Sequence, residues 1–186
     1  VLGDLGWEGV NPGWAWEISS QDEAWTKSQV PFPFLHLSIS AASSPLNEWP
    51  LDAWSDALHQ VWNKSPQTRV VVTGSGSERE IARQADLLSL VQDERIQNFF
   101  DPLSMSRFAA LLKASKLHVG LDSGVLHLAT ALGKPTVSLF RDSVGRPGWA
   151  PRGPDHRLLI RPCECNASGE QKCSGGRALC LSQISS

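Results

Sequence analysis

Residues 116–140, KLHVGLDSGVLHLATALGKPTVSLF, read as strand, sharp turn, helix and strand. Leu117 to Leu121 is an apolar run of the length of a buried strand. Asp122-Ser123-Gly124 breaks it, and Val125, Leu128, Ala129 and Leu132 then recur at helical spacing. Gly133 stands where a helix-ending glycine belongs, with Pro135 just beyond it. Pro135 to Phe140 is a second apolar run with β-branched residues.

Chemistry concentrates at the strand-to-helix turn. A helix that starts after Asp122 directs free backbone N–H groups and a partial positive charge outward, an arrangement suited to phosphate. Ser123 adds a hydroxyl, Gly124 permits close approach to the backbone, and Val125 and His127 belong to the first helical turn. Asp122 either caps the helix or accepts hydrogen bonds from sugar hydroxyls. A tripeptide of this kind is also common as a plain cap.

The longer string is more specific. D-S-G-x-x-H-L-A, followed by A-L-G-K-P-T-V-x-L-F, resembles the donor-binding signature of the family-nine glycosyltransferases, the bacterial heptosyltransferases that use ADP-heptose to build the lipopolysaccharide core. The resemblance covers about residues 35 to 184. It implies the C-terminal, donor-binding half of a two-domain GT-B enzyme, with the catalytic base on an absent N-terminal domain. The expected activity is inverting transfer of a sugar from a nucleotide diphosphate to an acceptor glycolipid. His127 would stabilise the leaving group, no cofactor would be required, and the isolated domain would turn over little. The full enzyme would sit in the cytoplasm, with peripheral association at the inner face of the membrane an option.

Outward from this stretch, strands and helices alternate. FLHLSIS at 34–40, Arg69 to Thr73, Ile96 to Phe100 and Leu158 to Ile160 read as further strands. Helices are expected from Pro50, over 78–90, over 105–114 and near 175–184. The alternation implies an α/β, Rossmann-like, doubly wound parallel sheet whose ligand lies at the carboxyl ends of the strands. Residues 1–33, rich in Gly, Pro, Trp and Ser, read as a linker or irregular arm, leaving 34–186 as the binding domain.

Several loops then converge on one edge. In GSGSE, Glu78 is the candidate for the ribose hydroxyls; in DPLS, Leu103 is the candidate wall for a flat base. In AASSPLNEWP, Ser43 and Ser44 can reach a phosphate, and Trp49-Pro50 matches the family's K-x-W-P. Asn47 replaces that lysine, which removes a charge from the diphosphate site; Lys134, Arg141 and Arg146 are the cations left to compensate.

Composition sets the outer bounds. The 186 residues are 41% hydrophobic and 19% charged, with net charge −2 and no basic run, which argues against a nucleic-acid surface. No apolar stretch has the length of a membrane span, and the opening residues do not read as a signal peptide. Because the chain begins at Val1, a fragment of a longer protein is expected. Eight tryptophans occur with no tyrosine; the early ones read as packing an arm onto the domain. The four cysteines, Cys163, Cys165, Cys173 and Cys180, cluster as C-x-C-x7-C-x6-C. A structural zinc, two disulfides or free thiols are the open alternatives. A non-catalytic nucleotide-sugar binding module is the second functional reading.

Overall fold

The computed structural model describes residues 17–143, 146–164, 173 and 178–186. Strands β1 (Phe34–Leu37), β2 (Arg69–Thr73), β3 (Ile96–Phe99), β4 (Leu117–Leu121), β5 (Thr136–Phe140) and β6 (His156–Ile160) form one sheet in the order β3-β2-β1-β4-β5-β6. Every pairing is parallel. Helices α2 (Leu51–Lys64), α3 (Glu78–Val91), α4 (Met105–Ala114) and α5 (Gly124–Ala131) are the crossovers. The chain winds outward from β1 to β3, then returns to the middle to start again at β4. The β1/β4 boundary is therefore the switch point at which such sheets open a crevice.

β1 shows why a central strand misleads a reader of patterns. FLHLSIS alternates apolar and polar residues, yet His36, Ser38 and Ser40 are buried at 0%, 4% and 9% exposure. Helices cover both faces of a doubly wound sheet, so the polar positions are enclosed too. The regular strand also ends at Leu37, short of the expected Ser40.

α2 buries Trp54, Leu58 and Trp62 along one stripe. These pack with Trp49, Leu181 and Ile184 in the larger core cluster, and Trp49 Nε1 donates to the Ile184 carbonyl at 3.2 Å. Each fully buried aliphatic side chain here contributes about 1.5–3 kcal/mol. At the end of α5, Gly133 takes φ +69°, its N–H reaching Thr130 O at 2.9 Å and that of Lys134 reaching Ala129 O at 3.0 Å. This paired closure is the Schellman geometry the Gly-Lys-Pro sequence calls for.

Part of the expected irregular arm is regular. Ser20–Gln29 form an α-helix, α1, packed on α4. Ser19 caps it, accepting from Asp22 N at 3.1 Å. Arg107 stacks 5.0 Å over the Trp25 ring, which also lies 6.0 Å from Phe99. The helix carries no apolar stripe, and only Thr26 is buried, so hydrophobic periodicity gave no sign of it. Trp7, Trp14 and Trp16 lie outside the described residues.

The C-terminal helix, α6, is confined among the described residues to Leu179–Ser182. No helix among the described residues is long and apolar enough to cross a membrane.

Candidate functional site

The loops after β1, β2, β3, β4 and β5 all leave the carboxyl edge. At the switch point, Ser123 occupies the N-cap position of α5 with extended backbone, but its side chain makes no capping bond. Its Oγ is enclosed and has no hydrogen-bond partner. Ser40 Oγ, on the β1 exit, and Ser143 Oγ, on the β5 exit, are in the same condition. A buried hydroxyl without a partner costs about 1–3 kcal/mol. Three such hydroxyls on the exits of adjacent strands mark where a polar ligand would be received.

Gly124 and His127 are exposed, whereas Asp122 and Val125 are half-buried. A side chain at Gly124 would meet no atom within 4 Å, and its φ is not positive. The glycine therefore answers no steric need of the protein itself; the space in front of it is open. Its neighbours in the turn present their backbone donors to that space.

On the β1 exit, the expected contacts divide. Ser44 Oγ accepts from Leu46 N at 3.2 Å and caps the short 3-10 turn Pro45–Asn47. Asn47 is only 1% exposed, and its Nδ2 donates to Ser43 Oγ at 3.0 Å. Expected as a ligand contact, Asn47 instead braces the loop from within. A neutral amide can be buried with one partner, whereas a lysine ammonium there would have to reach solvent or an anion.

Sequence reasoning missed what holds this loop. Glu48 Oε1 accepts from Ala41 N at 2.9 Å and from Arg79 Nη1 at 2.5 Å, while its Oε2 lies 3.3 Å from Arg83 Nε. Arg83 Nε also donates to Ile39 O at 3.0 Å, and Arg79 Nη2 to Ala41 O at 3.0 Å. Burial lowers the Arg83 pKa, and the Glu48 carboxylate opposes that shift. The clamp ties α3 to the β1 exit, partners far apart in the chain with no local signature.

The β2 and β3 exits lean on each other. Gly76 takes φ +80°, and a Cβ there would lie 2.6 Å from Pro102 Cδ, so this glycine is required. A Cβ at Gly74 would lie 2.6 Å from Gln84 Nε2 and 3.0 Å from Glu80 Oε2. Glu78, the candidate ribose contact, is exposed at the first turn of α3. Glu80, which the sequence reading passed over, is 5% exposed and accepts from Ser75 N at 2.5 Å. Leu103 is half-buried and packs on the cluster of Val30, Phe34, Val71 and Leu111, which fixes the loop whatever else it lines.

The cysteines do not assemble a metal centre among the described residues, where no group of three His, Cys, Asp or Glu side chains is placed to hold an ion. Cys163, Cys173 and Cys180 are free thiols, and Cys165 lies outside the described residues. Cys163 and Cys180 are buried in the larger core cluster with Cys173 packed against it, and Cys163 N donates to Asp142 Oδ2 at 2.7 Å. Burial raises the Cys180 pKa. Inert packing beneath the β5 exit is what these thiols provide.

The model of glycosyltransferase family 9 (heptosyltransferase) matches residues 5–176. Lipopolysaccharide heptosyltransferase 2 of Escherichia coli strain K12 is 25% identical over 132 residues, 68% of this chain and 37% of that protein. The structure of E. coli ADP-heptose lps heptosyltransferase II superposes with a TM-score of 0.70 at 21% identity, covering 91% of this chain and 49% of that one. E. coli heptosyltransferase WaaC with ADP-2-deoxy-2-fluoro heptose gives 0.58 at 18% identity, over 75% of this chain and 41% of that one. This chain thus spans under half the length of these relatives; the structural likeness speaks for the fold, and the family match over nearly the whole sequence speaks for descent: the chain belongs to glycosyltransferase family 9, the heptosyltransferase family.

Proposed function

We propose that this chain is the donor-binding half of a GT-B glycosyltransferase that transfers a sugar, heptose by kinship, from ADP-heptose to a lipopolysaccharide-type acceptor. The observation that carries the reading is the unpartnered Ser123 hydroxyl at the open N-terminus of α5, on the switch point of the sheet. A diphosphate placed there receives backbone N–H groups, the helix dipole and the serine O–H together. Asp122 faces the sugar, Val125 and Leu103 line the nucleotide, and Ser43, Ser44 and the Glu78/Glu80 turn close the site around it. A relative in the comparison binds ADP-2-deoxy-2-fluoro heptose, which supports the donor class.

In the transfer itself, an acceptor hydroxyl oxygen attacks the anomeric carbon as the bond to the diphosphate oxygen breaks. The hydroxyl proton passes to a base on the N-terminal half, and attack opposite the leaving group inverts the centre. The contribution of this chain is electrostatic: it holds the diphosphate as negative charge accumulates, with His127 at the leaving oxygen. No metal enters the step, and the free half binds donor without turning it over. The complete enzyme works at the cytoplasmic side of the membrane that carries its acceptor.

Calorimetric titration of the chain with ADP, UDP and GDP tests the reading. ADP should bind, and Gly124→Val should fold like the wild type and lose that binding. Absence of binding by any nucleoside diphosphate, or retained ADP affinity in folded Gly124→Val, refutes it. Burial of Asn47, a neutral amide at the position of the family's lysine, favours a second reading, a nucleotide-sugar binding module without turnover. Heptose transfer after rejoining the chain to an N-terminal half separates the two.

A further inference from the structure

The diphosphate site lacks the cation that the β1 exit would carry, and the fold itself selects a substitute. Of the cations the sequence offers, Lys134 lies at the wrong edge. It precedes β5, a strand of five residues and so about 16 Å long, and its Nζ donates to Lys113 O at 2.9 Å at the end of α4. Burial and the neighbouring Lys116 and Lys113 lower its pKa. The side chain of Arg146 is outside the described residues. Arg79 and Arg83 are engaged by Glu48. Arg161, after β6, is exposed and one strand further from the switch point.

Arg141 differs from all of these. It follows β5 directly at the carboxyl edge and is half-buried, and no hydrogen bond or ion pair to a described residue engages it. The β4–β5 register pairs Leu121 with Leu139, so the β4 exit with Ser123 and the β5 exit with Arg141 adjoin at the carboxyl edge. The β1–β4 register pairs Leu37 with Val119, which puts the β1 exit carrying Ser40 next to the β4 exit. The adjoining exits of β1, β4 and β5 therefore carry the Ser40 hydroxyl, the Ser123 hydroxyl with the N-terminus of α5, and Arg141. The adjacent carboxylate of Asp142 accepts from Cys163 N at 2.7 Å, which ties it to the C-terminal segment.

We propose that Arg141, reaching the crevice from the β5 exit, supplies the positive charge that binds the donor diphosphate, in place of a cation on the β1 exit where Asn47 stands. The site then takes its charge from the opposite side of the switch point. A guanidinium can present two parallel N–H bonds to a phosphate, which an ammonium cannot. This inference rests on the nucleotide-binding reading above and adds a residue to it.

The test compares ADP with adenosine on the 186-residue chain, as wild type, Arg141→Gln, Arg141→Lys and Lys134→Gln, each checked for folding by circular dichroism. Loss of a charged hydrogen-bond partner should weaken ADP binding about 10- to 100-fold in Arg141→Gln, and adenosine binding should not change. Arg141→Lys, which keeps the charge, should lose several-fold, and Lys134→Gln nothing. The salt dependence of ADP binding should also shrink in Arg141→Gln. Wild-type affinity for ADP in folded Arg141→Gln overturns the assignment while leaving nucleotide binding intact. Should Arg141→Gln not fold, wild-type ADP affinity in folded Arg141→Ala overturns it equally. A wild type that binds no ADP removes the functional reading and Arg141 with it.

Discussion

Acid should loosen this domain from its centre, because two histidines are enclosed in the middle of the sheet. His36 on β1 and His118 on β4 are each 0% exposed, with Nδ1 to Nδ1 at 2.8 Å and His36 Nε2 2.9 Å from Thr73 Oγ1. Between the two rings one Nδ1 donates and the other accepts, so the accepting ring must be neutral. Protonating it sets two N–H donors against each other, and a proton on the other ring places a charge in the same enclosed space. Burial drives both pKa values down, with the His118 ring further lowering that of His36; His118 falls from 6.5 to about 4. The unfolded chain therefore binds more protons than the folded one between pH 6.5 and about 4, and stability falls as pH falls through that window. At about 1.4 kcal/mol per pH unit, His118 alone should remove about 2 kcal/mol by pH 5 and about 3 kcal/mol by pH 4, with His36 adding to it. The paired carboxylate of Asp93, held near pKa 2 by its hydrogen bond from Arg95, titrates below this window and does not confuse it. Urea denaturation at pH 7, 6, 5 and 4.5 measures the slope, and the double variant His36→Leu/His118→Leu should flatten it. A wild-type stability that is level from pH 6.5 to 4.5, or an unchanged slope in the double variant, refutes the argument. Thr73 leads into the GSGS loop and β4 into the Asp122 turn, so the same acid step should weaken nucleotide binding in parallel.

Removing the carboxylate that clamps the β1 exit should be costly: Glu48→Gln leaves Arg83, largely enclosed, without its charge partner. We expect a loss of about 3 kcal/mol in unfolding free energy, read by urea denaturation. Gly76→Ala should cost about 1–3 kcal/mol in the same assay, since it strains a positive φ and presses on Pro102. A cost below about 0.5 kcal/mol for the alanine would show that the β2 and β3 exits do not bear on each other.

Much of the site was legible because its parts are local. The turn at Asp122-Ser123-Gly124 and the glycine that closes α5 are read within one helix length, and the structure has both where the sequence puts them. Glu78 and Asn47 were harder. Both stand at motif positions, but whether a side chain there faces out or in depends on packing between loops. Glu80 and the Glu48–Arg79–Arg83 clamp were invisible for a related reason: a charge on a helix is by default a solvated charge, and only the β1 exit passing over α3 makes these buried partners.

What the sequence determined by itself is the order of elements and the chemistry of the central turn, because period, capping and turn residues act over a few positions of chain. It also determined that the sheet would be parallel, since β1, β2, β3 and β4 are each followed by a helix long enough to cross back. Tertiary structure alone decided the strand order that puts the switch point between β1 and β4, and with it which loops meet. It alone buried a pair of histidines face to face, turned Asn47 inward, and put the β5 exit that carries Arg141 next to the β4 exit while carrying Lys134 to the far edge. Local energies of a few tenths of a kcal/mol per residue shape each element, but proximity between distant elements follows from packing the whole sheet, which no short window of sequence contains.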